Sequence, residues 1–286
     1  VLFGLNISSH AGTGADPTAT ARAAEALGFD FISINDHLHG PDPRFETWTL
    51  LCWIGASTSR IRLATRVLGL PYREPPIVAK MAETLDRLSQ GRLILGLGAG
   101  SAEEEFRALG LRALSLRDRI KALDEAIRVI RGLWADRSFT FEGDIYRTDG
   151  AQPEPKPERR IPIWLGAHGR RGLAVTARLA DGWIPSLAHA PPDQLPAMIE
   201  LLHDDARAVG RDPADVTCIY NLQVTVNERG RDESVVSGSP ERVAEQLLGF
   251  ARLGFHGFNL IPTGADRSAQ TALLAQEVVP FVRAAL

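Results

Sequence analysis

Eight times along this chain of 286 residues a short apolar run, bounded by turn residues, gives way to a stretch with apolar side chains at helical spacing. The runs are residues 2–7, 29–35, 61–68, 92–97, 161–165, 182–186, 216–226 and 256–261. Helical patterns follow at 17–27, 46–58, 74–89, 116–135, 172–179, 193–209, 240–253 and 268–285. Strand, crossover and parallel strand repeated in one hand close most economically into an eight-stranded barrel. The expected fold is α/β, a single (β/α)8 TIM barrel over residues 1–286. Gly143, Gly150, Pro153, Pro155 and Pro157 interrupt the rhythm, so residues 137–160 are expected to be an insertion, a hairpin followed by an extended crossing. An open doubly wound sheet is the alternative. It would more often show G-x-G-x-x-G after the first strand, and nothing of the kind follows Ile7.

Composition narrows the function classes. Hydrophobic residues make up 44% and charged residues 23%, enough apolar material for a large core. A net charge of −3 with no polybasic tract leaves no electrostatic footprint for nucleic acid. No apolar run reaches the roughly 18 residues of a membrane helix, and no signal-peptide layout is present. The start at Val1 instead of Met points to a trimmed or partly unseen N-terminus. Cys52 and Cys218 lie in apolar stretches, so buried structural thiols in a reducing cytoplasm are expected.

In such a barrel the functional side chains gather where strands end. The ends carry His10, Asp36-His37, Thr65-Arg66-Val67, the stretch 98–104, the stretch 166–170, Pro185-Ser186, Gln223 and Pro262-Thr263. In GRLILGLGAGSAEEE, residues 91–105, a buried strand empties into Gly98-Ala99-Gly100. A flat ring or an anion can approach backbone that carries so little side chain, with Ser101 and Glu104 beside it. The same glycines also suffice to turn the chain into its next helix, and the residues alone leave both readings open.

Three segments carry a wider likeness: FDFISINDHL, RIRLATRVLGLPYREPPIVAKMAETLDRLSQGRLILGLGAG and IPIWLGAHGRRGLAVTARLADGWIP. Together they resemble the bacterial-luciferase-like oxidoreductases over nearly the whole chain. The Asp-His pair resembles the branch that uses the deazaflavin coenzyme F420, with FMN as the alternative cofactor. The resemblance implies that Asp36 and His37 stand beside the central ring, His37 donating or accepting a proton near the reactive carbon. It implies a non-proline cis peptide at Arg66-Val67, with Thr65 before it, pressing on one face of the ring. Gly98 and Ala99 would lie under the ring, Ser101 beside them, and Glu104 at its edge. Gly166, Ala167, His168 and Gly169, with Ser186, would receive the phosphorylated tail, and Arg170 and Arg171 would add charge. Ser101 stands where sugar-phosphate dehydrogenases of the family have a catalytic glutamate, which argues against that substrate.

The chemistry implied is hydride transfer between C5 of the deazaflavin and a small organic substrate entering past His10, Trp48, Tyr72 and the loop 40–45. The second reading keeps the fold and uses reduced FMN with oxygen as a monooxygenase. A third takes His37 and His39 as a metal pair of a barrel hydrolase, with His168, His189 and Asp266 as further ligands. A fourth is a flavin-binding barrel without turnover. Members of the family commonly pair, so the helix bearing Trp48 and Trp53 is an expected homodimer face, although core packing explains the same residues. The stretch 227–238 is short against the family's usual connection.

Overall fold

The computed structural model describes residues 1–227 and 235–286. The first half runs β1 (Leu2–Asn6), α1 (Pro17–Ala26), β2 (Phe31–Ile34), α2 (Thr47–Ser57), β3 (Arg62–Thr65), β4 (Leu68–Gly69), α3 (Pro75–Leu88), β5 (Leu93–Gly98) and α4 (Glu103–Ala108). Then come α5 (Leu116–Ala135), β6 (Phe139–Glu142), β7 (Arg147–Ala151), β8 (Ile163–Leu165), α6 (Arg170–Leu179), β9 (Gly182–Trp183) and α7 (Leu195–Ala208). The chain finishes with β10 (Thr217–Val226), β11 (Val235–Gly238), α8 (Pro240–Arg252), β12 (Gly257–Pro262), α9 (Arg267–Leu273) and α10 (Val279–Ala285).

Strands β1, β2, β3, β5, β8, β9, β10 and β12 pair in parallel in that order, and β12 returns to β1. The eight-stranded barrel expected from the alternation is the fold observed. Its strands are covered on both faces, which is why β2 and β5 are buried along their whole length and read as continuous apolar runs. Side-chain caps fix where the helices begin: Asp16 accepts from Ala19 N at 2.8 Å and Ser115 from Asp118 N at 3.2 Å.

Alternate strand residues fill the barrel interior in layers. Phe31, Ala64, Ile94, Trp164 and Ile219 make an apolar layer, the Phe31 and Trp164 rings meeting edge to face at 5.5 Å. Two residues further along their strands the interior turns polar. Ser33 donates to Asn259 Oδ1 at 2.8 Å, Asn259 Nδ2 to Asn221 Oδ1 at 2.6 Å, and Asn221 Nδ2 to Ser186 Oγ at 2.7 Å. This chain of satisfied side chains floors the open end of the barrel.

The structure departs from the sequence-based expectation in four places. The sixth barrel strand ends at Trp183, because Pro185 has no N–H to continue the ladder and the chain rejoins it only at the Ser186–Asn221 bridge. The closing helix is broken by a π-turn at Leu274–Val278, just ahead of Pro280, whose missing N–H and ring require a wider turn. Two short strands were not anticipated: β4 pairs with β5, and β11 adds to β10. Of the short stretch 227–238, residues 228–234 lie outside the described residues.

The interruption at 137–160 is a hairpin, β6 against β7, followed by an extended run containing a cis Glu154–Pro155 bond. Glu125 of α5 holds the hairpin turn by accepting from the backbone N–H groups of Asp144, Ile145 and Tyr146 at 2.9 to 3.0 Å. Cys218 is buried, and burial pushes its thiol up to about 12. Among the described residues no helix is long and apolar enough to cross a membrane.

Candidate active site

A cavity of about 580 Å³ opens at the carboxyl ends of the strands. Asp36, His37, Arg66, Val67, Gly98, Ala99, Ser101, Gly166, Ala167, His168, Gly169 and Ser186 all line it. Strand ends up to 150 positions apart in sequence are thus gathered at one mouth, since parallel strands of a barrel all finish on the same face.

Asp36 follows β2 with its carboxylate buried. It accepts from Gly69 N at 2.9 Å and from the Arg73 fork at 2.7 and 3.2 Å. Arg73 is shared with Glu46, the residue that caps α2. The Arg73 guanidinium is held above its ordinary value, burial opposing the shift and the two carboxylates outweighing it. The Asp-His pair is therefore anchored by a buried ion pair before any ligand arrives.

His37 is half-exposed and faces Glu105 of α4, Nδ1 to Oε1 at 2.8 Å. Oε2 of the same carboxylate accepts from the Tyr72 hydroxyl at 2.5 Å and from Leu38 N at 3.1 Å. Burial alone would raise the Glu105 carboxyl. The bonds from Tyr72 and His37 overcome that and leave it below the ordinary carboxylate range. Burial, then the bond to Glu105, push the Tyr72 hydroxyl up.

The floor beneath is built by close approach. A Cβ on Gly98 would stand 2.6 Å from Val67 Cγ2, and one on Gly166 would stand 3.1 Å from the same atom. The Arg66–Val67 peptide is cis. Gly100 has φ +82°, and a Cβ there would lie 2.6 Å from Phe106 Cζ, so that turn requires glycine.

At the other end of the cavity, Gly169 begins α6 with no side-chain cap among the described residues, and Arg171 lies on the same wall. His168 stacks edge-on against His189 at 4.8 Å, and its Nδ1 is buried without a partner among the described residues. Burial, then His189, push His168 down to about 4. Arg170 is engaged by Asp205.

Several expected site residues stand elsewhere. Thr65 does not reach the cavity; its hydroxyl donates to Gly96 O at 2.7 Å and accepts from Gly96 N at 2.9 Å, tying β3 to β5. Glu104 is exposed, and Glu105 takes the inward position instead. On α4 Glu105 stands next to the buried Phe106, and it is the seating of this helix over the mouth that selects Glu105 from three consecutive glutamates. Of the residues expected at the substrate entrance only Tyr72 lines the cavity. Trp48 packs into the core, and His10 bridges Arg44. Sequence reasoning missed Arg73 and Asn221 and did not place His189 in this cavity. Among the described residues no group of three or more His, Cys, Asp or Glu side chains is arranged to hold a metal ion. Of the ligand set of the hydrolase reading only His168 and His189 meet, and His37 is turned to Glu105.

Residues 3–231 match the family described as luciferase-like monooxygenase. The chain belongs to this family. Its luciferase-like relatives include an F420-dependent glucose-6-phosphate dehydrogenase of Nakamurella multipartita, 27% identical, with 99% of this chain and 97% of the relative covered. An enzyme of the same name from Intrasporangium calvum is 30% identical, with 91% and 92% covered. Among solved structures, an F420-dependent secondary alcohol dehydrogenase in complex with an F420-acetone adduct superposes with a TM-score of 0.88 at 22% identity, covering 99% of both chains. At that identity the likeness speaks for the luciferase-like barrel alone.

Proposed function

We propose that this luciferase-like chain is an oxidoreductase that binds coenzyme F420 and moves a hydride between the deazaflavin and a small organic substrate. The observation that carries the reading is the tether from Glu105 to His37 over a glycine floor in one cavity. The residues fit such a group: Gly98 and Gly166 keep Cβ atoms out of the space beside Val67, and His168 Nδ1 is a buried polar atom in want of a partner. Gly98, Ala99 and Val67 would hold the ring, and Gly169, Arg171, His168 and Ser186 the phosphorylated tail. When bound, the deazaflavin supplies a carbon that accepts or gives up a hydride.

The chain's own part is proton handling and exclusion of water. An ionised carboxylate only accepts hydrogen bonds, so Glu105 keeps the proton of His37 on Nδ1 and leaves Nε2 for the substrate. In alcohol oxidation Nε2 takes the hydroxyl proton; in carbonyl reduction it returns one. Ser101 on the cavity wall cannot serve as a second acid, which turns the reading away from sugar phosphates despite the names of the relatives.

Parallel titration of the purified chain with F420 and with FMN, followed by fluorescence quenching, tests the reading. Saturable quenching by F420 and none by FMN is expected. Preference for FMN would move the chain to the monooxygenase branch, and binding of neither would end the proposal.

A further inference from the structure

Arg66 is a charged group of this cavity that the mechanism does not use. Its strand neighbour two residues back, Ala64, faces the barrel interior, and Arg66 follows the same alternation inward to the cavity. There Nε donates to Asn6 Oδ1 at 3.1 Å, and this is the guanidinium's one hydrogen bond among the described residues. Among the described residues no carboxylate forms an ion pair with it.

The nearby acids are committed elsewhere. Asp36 is locked to Arg73, and Glu105 is taken by His37, Tyr72 and Leu38. Arg170 on the same wall has Asp205. Burial pushes the Arg66 guanidinium down to about 10, still charged at neutral pH, with no neighbouring acid to oppose the shift. Arg66 is part-buried at the cavity wall; a cation partly withdrawn from water and left without a partner is costly, and its two terminal nitrogens present a planar fork that matches two oxygens at once.

We propose that Arg66 is an oxyanion-binding residue at the cavity floor, taking a planar delocalised oxyanion in its fork. Two sources carry that chemistry: a carboxylate on the substrate, or the ionised ring of the bound deazaflavin. The substrate arm rests on the oxidoreductase reading and narrows its substrate to carboxylate-bearing compounds; binding at Arg66 itself does not depend on which cofactor is used. Asn6 orients the fork by holding Nε.

The test uses the full chain as wild type, Arg66→Gln and Arg66→Lys. In the first arm, thermal unfolding is followed with benzoate, acetate, their amides and a chloride control at matched ionic strength. At ten times the dissociation constant a carboxylate should raise the wild-type midpoint by about 2 °C, the amides by nothing. The rise should vanish in Arg66→Gln and weaken at least tenfold in apparent affinity in Arg66→Lys, which keeps charge but loses the fork. In the second arm, F420 is bound to each form, and ring ionisation is followed by absorbance against pH. An upward shift of about one pH unit in Arg66→Gln, with carboxylates inert, assigns the anion to the ring. Equal carboxylate stabilisation in all three proteins, or no carboxylate effect together with an unmoved ring ionisation, overturns the proposal. Failure of the wild type to bind F420 overturns the cofactor reading, and the carboxylate arm then decides Arg66 alone. Should Arg66→Gln not fold, Arg66→Lys carries the comparison in both arms.

Discussion

The Glu105 carboxylate joins α4 to the end of β2, its Oε1 lying 2.8 Å from His37 Nδ1. Tyr72 and Leu38 N hold the other oxygen, so the carboxylate has no freedom to turn away. Glu105 acts through His37, setting which ring nitrogen carries the proton.

Glu105→Gln is isosteric but offers an amide N–H to Nδ1, which favours the opposite tautomer. Turnover is expected to fall by about 10²-fold or more, with F420 affinity nearly unchanged, by analogy with other histidines deprived of their orienting carboxylate. Steady-state kinetics beside a fluorescence titration separate the two. A parallel loss of binding would mean that Glu105 shapes the cavity and does not orient the ring.

Arg73→Met leaves the Asp36 carboxylate buried with Gly69 N as its remaining partner among the described residues. The variant is expected to lose about 3–5 kcal/mol of stability, the usual consequence of breaking a buried pair from one side. Replacing both residues, Asp36→Asn with Arg73→Met, should recover part of it. Chemical denaturation measures both, and a loss below about 1 kcal/mol would show the pair to be no more than a surface bridge.

Gly98→Ala places a methyl group 2.6 Å from Val67 Cγ2. The clash should cost about 1–3 kcal/mol and push Val67 toward the cavity. F420 affinity is expected to drop at least tenfold, with Gly98→Val more severe. Pairing Gly98→Ala with Val67→Ala should restore binding, and no rescue would mean that the floor is not set by this contact.

His168 introduces a pH dependence with a definite sign. In the folded chain it sits near 4 against an ordinary 6.5, so the unfolded chain binds the extra proton between those values. Its contribution is complete above pH 6.5 and is lost as pH falls toward 4. Allowing for solvent screening, about 1–2 kcal/mol is expected over that window. Denaturation of wild type and His168→Gln at several pH values should show a shallower slope in the variant; identical slopes would contradict it.

Trp53 projects from α2 at 68% exposure, and Ile77 and Leu88 of α3, at 59% and 78%, line an apolar groove with Cys52, Met81 and Leu85. An exposed apolar face of this kind suits a two-fold interface, in which the same patch of two copies meets. Light scattering is expected to give a dimer mass that Trp53→Asp halves. A monomeric wild type would refute it.

How much of this was legible beforehand differs by level. The barrel was readable because periods of two and about 3.6 are properties of neighbouring residues, and caps such as Asp16-Pro17 mark their own boundaries. The positions of Asp36, His37, Gly98 and Gly166 at the mouth followed from the same local reading, since a strand's end is visible in its own sequence. Partner choice was not local. Which of three consecutive glutamates meets His37 depends on how α4 seats over the mouth, and Thr65 is withdrawn from the cavity by Gly96, 31 residues away.

The sequence by itself determined the architecture and the glycine floor, because both are written in short-range pattern and in the absence of side chains. Only the tertiary structure decided the charge balance of the site. Closure of the barrel brings Arg73 to Asp36 across 37 residues and leaves Arg66 beside Asn6, with no ion-pair partner among the described residues. Whether a charge is compensated depends on which groups lie within a few ångströms in space, and spacing along the chain does not encode that.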